Sequence, residues 1–486
     1  MRVLLTIGLL SLFLRPPAWA ADKPGNYLAQ CWRQQGQQLA GRYAVFSFRE
    51  QANELEHSFS PWQQTAYAKR GTAWVNAENF LKQDTLVQQQ KTLVSKTQLS
   101  GDVLLRLDYG DQKLAPVTPE QFAEQLFQTA RYSPLPLLSY FVRHPTEADE
   151  RSRPGFAVYT TRLPRAVVSL VIRKSDGLVD RVEVLSDDEL FGDVRTTFTY
   201  RDYAAAGKFA YPKTVSIDKL GGKVRDEVAV TTLSIADQAA PLLQRPADYH
   251  MKPAGETKAE VVVQRFSPNL HFIELKHTDD RVLVVEFRDF LVVAEAPLNS
   301  ANGERIVAEA RRLAPGKPIR YFVFGHYHPH YLGGLRPFVR RGATVLCGPG
   351  DAPYVRYLAE APRTLRPDSL HLAPRPATVE EIAGTKTITD GQFEMQIHFI
   401  GKQSEHTNDY LIYYFPSEKL LFEDDLAWVP CTGAVPKARA RQAGLYQAVR
   451  DRKLDVKTVV QSWPVADYGV KTVIPFADLE QAMQVK

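Results

Sequence analysis

The stretch Phe324-Gly325-His326-Tyr327-His328-Pro329-His330-Tyr331-Leu332-Gly333-Gly334 sets three histidines at alternate positions between an apolar run, Tyr321 to Phe324, and a glycine pair. In an extended segment, residues two apart point to the same side. His326, His328 and His330 are therefore expected to converge just beyond the end of a strand. Neutral imidazole is a common ligand for zinc and similar metals. A lone histidine near a strand is usually structural, but three within five residues predict a metal site.

Around this stretch, from about Val261 to Lys486, strand and helix patterns alternate. Leu270 to Leu275, Val282 to Phe287 and Phe290 to Ala294 read as strands, and Gly303 to Leu313 reads as a helix. Ile319 to Phe324 is the strand that leads into the histidines. Further strands are expected at Ala343 to Leu346, Phe393 to Phe399, Tyr410 to Phe415, Leu420 to Phe422 and Val456 to Val460. Such alternation predicts an α/β layered domain.

The N-terminal half reads differently. After a glutamine-rich stretch from Asn26 to about Lys96, a helix is expected from Thr118 to Tyr132. Thr118 is placed as its N-cap, with Pro119 at the first helical position and Glu120 in the first turn. Pro134 and Pro136 interrupt it before a short apolar piece, Leu137 to Val142. From Gly155 to Ile235, strands separated by turns predict an antiparallel sheet. The stretch from Ala236 to Glu260 has little periodicity and is the candidate linker. The expected organisation is thus a leader at 1–20, a β-rich domain at 21–240, a linker at 241–260 and the α/β domain at 261–486.

The leader reads as a secretory signal. Arg2 supplies the positive start, Val3 to Leu14 the apolar core, and Ala18-Trp19-Ala20 the small-x-small cleavage signature. The apolar run is shorter than the roughly 20 residues that span a bilayer, and no second run of that length follows. A periplasmic or secreted protein with no transmembrane segment after processing is expected. With 60 basic and 55 acidic residues the net charge is only +5, and no basic block suggests a nucleic-acid surface. Cys31, Cys347 and Cys431 form no disulfide framework and no CxxC metal site. One pair could form in an oxidising compartment, and buried thiols are the expectation for at least two of the three.

Ordered motifs in the last domain resemble those of the metallo-β-lactamase-fold hydrolases. The central motif of that family is His-x-His-x-Asp-His followed by a glycine pair; here it reads His326-Tyr327-His328-Pro329-His330-Tyr331, then Gly333-Gly334. Glu286 through Pro297 is similar to the early hairpin, with Glu295 where an aspartate is usual. His406-Thr407-Asn408-Asp409 resembles the histidine-threonine motif. Leu420 to Leu426 resembles the strand that ends in a bridging aspartate, matched by Asp425. Trp463 stands where the last histidine is expected.

The resemblance implies an αββα sandwich with its metal site at one sheet edge. It implies one zinc, or another divalent ion, held by His326, His328 and His406, with Asp425 as a further ligand or as the group that orients water. Small-molecule hydrolysis would follow, with His330 or Asp425 assisting the water. The second metal position departs from the pattern at His330, Tyr331 and Trp463. A non-catalytic binding or scaffold protein on the same fold is therefore the alternative.

Several other residues have simpler expectations. His398 lies on a strand and reads as structural, and Asp424 is expected to point away from Asp425. Cys347 reads as a buried thiol at a turn. Glu380 and Glu381, with Thr378 three residues before Glu381, match a solvated helix start. Tyr331 could pack against the sheet edge or donate a hydrogen bond to a developing oxyanion. A weaker similarity links the N-terminal strands, Phe191 to Tyr203 and Tyr211-Pro212, to periplasmic lipoprotein-carrier domains.

Overall fold

The computed structural model describes residues 26–55, 59–88, 91–100, 103–107, 113–114, 118–145, 149–237, 250–251, 259–463 and 469–485. The expected leader at 1–20 and most of the expected linker lie outside them. Two compact units result. One comprises Met1–Ala52, Tyr67–Leu185 and Arg195–Pro253; the other comprises Asn53–Ala66, Ser186–Val194 and Ala254–Lys486.

The first unit is built on a twelve-stranded sheet in which Tyr43–Glu54 pairs antiparallel with Val224–Ala236. The glutamine-rich stretch supplies Thr65–Val75, Asn79–Gln88 and Lys91–Ser100 as further strands. Helices Tyr27–Gln34, Pro119–Gln128 and Leu135–Arg143 bury Leu28, Leu126, Leu138 and Phe141 in the same core as Phe46, Phe48, Leu170 and Phe198. Thr118 caps its helix as expected. Its hydroxyl accepts from the Gln121 amide (3.2 Å), and the Gln121 side chain accepts from the Thr118 amide (3.0 Å). That helix ends at Gln128, and a 3-10 turn over Thr129–Arg131 follows. The turn places Arg131 in the interior between Glu50 (2.9 Å) and Asp226 (2.8 Å), so the buried cation is paired on two sides.

In the second unit, period-two alternation decides which residues face which layer. Seven strands run in the order Val261–Arg265, Leu270–Leu275, Asp280–Glu286, Leu291–Ala294, Ile319–Val323, Thr344–Cys347, Thr378–Glu381. The second sheet has six: Thr385–Thr389, Glu394–Phe399, Leu411–Phe415, Leu420–Glu423, Thr458–Gln461 and Val473–Pro475. Leu270, Phe272, Leu283, Val285 and Val292 of the first sheet meet Met395, Ile397, Tyr413, Phe415 and Phe422 of the second in one core.

The alternate residues face outward. Ile273, Val282, Val284 and Phe322 pack with Ile306 and Ala310 of helix Ser300–Leu313 and with Phe338 of Arg336–Arg341. On the other side Ile412, Leu421 and Val459 pack with Leu445 and Val449 of Ala440–Asp451 and with Leu479 of Phe476–Gln484. The layers are helix, sheet, sheet, helix, as expected.

The expected helix start at Thr378 is instead an edge strand, Thr378–Glu381. Parallel pairing with Thr344–Cys347 outweighs the capping-box spacing. Glu381 does cap a helix, but a different one: its Oε1 accepts from the amides of Gly350 (3.0 Å) and Ala352 (3.1 Å) at the start of Ala352–Glu360.

Two short stretches complete this unit. The buried Arg363 guanidinium donates to the carbonyls of Asp188 (3.3 Å), Glu189 (2.7 Å) and Leu190 (3.2 Å), which fixes 186–194. The Asn408 amide donates to the Phe59 carbonyl (2.8 Å), and the Trp62 ring packs against Phe191, Tyr354 and Tyr357.

Asp368 ties Arg336, Ser300 and the His371 amide together at 2.6–3.0 Å. Burial raises its carboxyl pKa, but these donors outweigh that and hold it at about 2. A depressed carboxyl contributes stability above its unfolded pKa of about 3.9, and that stability is lost as pH falls. Denaturant melts of the second unit should therefore lose about 2 kcal/mol between roughly pH 4 and pH 2 that Asp368→Asn does not lose. Equal acid sensitivity in the variant would refute the assignment.

Candidate metal centre

The strand Ile319–Val323 runs parallel between Leu291–Ala294 and Thr344–Cys347 and delivers Gly325 and His326 just past its end. Two other segments hold the loop there. The Gly325 amide donates to Glu295 Oε1 (3.1 Å), the Leu411 amide to the Gly325 carbonyl (2.7 Å), and the Tyr327 amide to Asp409 Oδ2 (2.8 Å). Gly325 is required by close approach, since a Cβ there would lie 2.2 Å from Asp424 Oδ2.

His326, His328 and His406 converge. Their ligand nitrogens all lie within 4.8 Å of one another, and all three residues are buried. His326 Nδ1 lies 2.7 Å from Asp424 Oδ2, so the protonated nitrogen faces the carboxylate and Nε2 faces inward. That Nε2 is 3.1 Å from His328 Nδ1. Two nitrogens on one tetrahedral ion with bonds of 2.0–2.1 Å stand about 3.3 Å apart, so the spacing suits a shared ion. His406 Nε2 is buried and makes no hydrogen bond, although Asp425 Oδ2 lies 3.0 Å away. Its backbone is set by Ser404, whose hydroxyl accepts from the amides of His406 and Thr407 (3.2 Å each). Burial first, then the neighbouring His328 and His406, push the His326 pKa well below its usual value, which keeps the ring in its ligating form.

His330 does not join the cluster. Pro329 starts a short helix, Pro329–Leu332, directly after His328, and the extended alternation ends there. His330 Nδ1 instead meets Asp280 Oδ1 at 3.2 Å, and its ring lies 5.4 Å from that of Trp463. The expectation of three converging alternate histidines thus fails at the third, whose place in the cluster is taken by His406.

No family model matches the sequence, and no curated protein does either. Solved structures that resemble it include DIM-1 metallo-β-lactamase (15% identity, TM-score 0.34, covering 46% of this chain and 96% of that one). A metallo-β-lactamase from Pontibacter korlensis matches at 19% identity and TM-score 0.33, covering 46% and 98%. FIM-1 from Pseudomonas aeruginosa, solved in a mono-zinc form, matches at 17% and 0.34, covering 46% and 94%. The layer order of the second unit, with a histidine cluster where the central strands end, carries the assignment. The second unit has the αββα layering that the metallo-β-lactamase resemblance implies.

On this metallo-β-lactamase-like frame, both aspartates after Leu420–Glu423 serve the cluster. Asp424 was expected to point away; it accepts from His326, while Asp425 Oδ2 faces His406 and Arg441 Nη1 (3.2 Å). The strand has ended at Glu423, so strict alternation no longer separates the two side chains. Tyr410 pins the turn: its hydroxyl accepts from the amides of Asp424 (3.2 Å) and Asp425 (3.1 Å) and lies 3.2 Å from Asp425 Oδ1. Burial raises the Asp425 pKa, but His406 and Arg441 outweigh it and bring the carboxyl below its ordinary value. Burial and Glu295 drive the Asp424 carboxyl strongly up. Tyr413 donates to Glu295 (2.8 Å), and Glu295 interacts with Asp424, the partner of His326.

The positions that depart from the family motif are filled by bulk. The Tyr331 ring lies 4.4 Å from that of His326, and its hydroxyl is buried without a hydrogen bond. Packing, one of the two readings of Tyr331, is what the structure shows. Trp463 donates its amide to the Asp424 carbonyl (2.8 Å). His398 sits between Thr385 (2.9 Å) and Gln396 (3.1 Å), with its pKa pushed down to about 4, first by burial. Cys31 and Cys347 are buried and Cys431 is exposed; all three are free.

The sequence reading missed the roles of Asp424, Asp280 and Tyr410. The aspartate doublet directly after a strand was the available signal for the first. Asp280 opens a strand from a hairpin turn, and nothing local to it points to His330.

Proposed function

We propose that the second unit is a metal-dependent hydrolase with a single ion at His326, His328 and His406. The observation that carries this is the buried convergence of three ring nitrogens, one of them without a hydrogen bond. Zinc is the proposed ion, because three imidazoles with one position left open suit it. Such an ion, when bound by these three residues, would supply Lewis-acid chemistry, acidifying water and polarising the bond to be cleaved.

The chain's own residues do the rest. Asp424 fixes the His326 tautomer, and Asp425, beside His406, accepts a hydrogen bond from the attacking water and orients it. Tyr410 holds the two carboxylates in register. His330, set on Asp280, stands at the side of the site and serves the substrate or its proton rather than the ion. Tyr331 and Trp463 occupy the positions at which the family motif has histidines, which is why a single ion is proposed. Export rests on the Arg2 to Ala20 segment alone.

The test is a panel of ester, lactam, phosphoester and thioester substrates with metal-free and zinc-loaded protein. Turnover of at least one class is expected, abolished by chelator and restored by zinc. Stoichiometric zinc with no turnover across the panel would favour the binding or scaffold reading.

A further inference from the structure

Asp351 stands at the N-cap of helix Ala352–Glu360, where an aspartate ordinarily accepts from the amides of its own helix. Its side chain makes no such bond, and Glu381 takes the amides of Gly350 and Ala352 in its place. The Asp351 carboxyl instead hydrogen-bonds to the carboxyl of Asp409, and both residues are buried, at 1% and 2% exposure. The Gly348 backbone also bonds Asp351, and Thr407 and the Tyr327 amide bond Asp409. Among the described residues, no donor outside the pair reaches Asp351 Oδ2 or Asp409 Oδ1.

Two ionised carboxylates can only accept, so a bond between them requires one proton. Burial first, then Asp409 and Glu381, drive the Asp351 carboxyl strongly up, which puts that proton on Asp351 with Asp409 as acceptor. Cys347, Tyr354 and Tyr413, the other titratable side chains that act on the pair, are pushed up by burial and stay neutral, and Arg356 acts on Cys347.

The pair lies between the two segments that supply the histidines. Asp409 is three residues past His406, and its Oδ2 accepts from the amide of Tyr327, the residue between His326 and His328 (2.8 Å). The turn that carries Asp351 is pressed onto the same backbone, since a Cβ at Gly348 would lie 2.1 Å from the Asp409 carbonyl oxygen.

We propose that Asp351 is a positioning residue: protonated, it donates to Asp409, and the pair ties the His326–His328 loop to the His406 segment at the spacing an ion requires. The last clause rests on the metal reading; the shared proton does not.

The test is zinc affinity by chelator competition, with urea unfolding of the metal-free full chain, in the parent, Asp351→Asn and Asp351→Ala. A carboxamide keeps a donor for Asp409, so Asp351→Asn should hold zinc within about threefold of the parent, while Asp351→Ala should weaken it about tenfold or more. Unfolding reads the proton without metal. A carboxyl whose folded pKa is raised stabilises fully below its unfolded value of about 3.9, and that stability is lost as pH rises toward the folded value. The parent should therefore lose stability relative to Asp351→Asn from about pH 4 upward. Zinc affinity in Asp351→Ala equal to the parent's, an Asp351→Asn as weak as Asp351→Ala, or one pH profile shared by parent and Asp351→Asn overturns the proposal. A chain that holds no zinc in any form, yet shows the pH offset, leaves the shared proton standing and removes the metal reading instead.

Discussion

His326→Ala is expected to weaken zinc binding by at least about a hundredfold and to abolish turnover, while His330→Ala leaves zinc content unchanged. The contrast follows from geometry. Four ligands together supply roughly 10–16 kcal/mol to a structural zinc, so removing one imidazole removes several kcal/mol. His326 is central to the cluster, since its Nε2 lies 3.1 Å from His328 and its ring 4.7 Å from that of His406. His330, two residues on from His328, is bonded to Asp280. His398→Ala provides the control, because its ring is engaged by Thr385 and Gln396. Competition with a chromophoric chelator measures all three. Equal losses from His326→Ala and His330→Ala would mean that the third alternate histidine is a ligand after all.

The second large effect lies one shell out, where Gly325 and Asp424 compete for the same space. Asp424→Ala should weaken zinc binding about 10–100-fold, because His326 loses the partner that fixes its tautomer and ring orientation. Gly325→Ala should do comparable damage by a different route. Its methyl would lie 2.2 Å from Asp424 Oδ2 and must displace the carboxylate. The two changes should then be strongly non-additive, since the double variant removes the group with which the methyl collides. A double-mutant cycle on zinc affinity reads this directly. Additive losses would show that Gly325 acts on the loop independently of Asp424.

Much of the architecture was legible in the sequence because it depends on local periodicity. The apolar runs Leu270 to Leu275 and Tyr410 to Phe415 mark strands buried on both faces, and the structure divides their residues between the inter-sheet core and the helix layers. His406 could be placed because it belongs to an ordered series of motifs. What escaped was tertiary in origin. The edge strand Thr378–Glu381 carries a capping-box spacing, yet pairing with Thr344–Cys347 decides its conformation. His330 follows the alternate pattern perfectly, and a proline at the first helical position still turns it away. Asp424 looked like a bystander on a strand face because the strand's end at Glu423 is set by the neighbouring Thr458–Gln461 pairing. In the first unit, Tyr43 to Phe48 alternates legibly and forms a strand, whereas the polar segments at Thr65–Val75, Asn79–Gln88 and Lys91–Ser100 offer little alternation to read.

The central claim is that three imidazoles hold a single ion and that the neighbouring second position is closed by Tyr331 and Trp463. Elemental analysis of the chain, purified without added metal and again after equilibration with excess zinc, tests it most directly. The account predicts one ion per chain in both preparations, falling to none in His406→Ala. Two ions per chain after equilibration, or a single ion that His406→Ala retains, would contradict it.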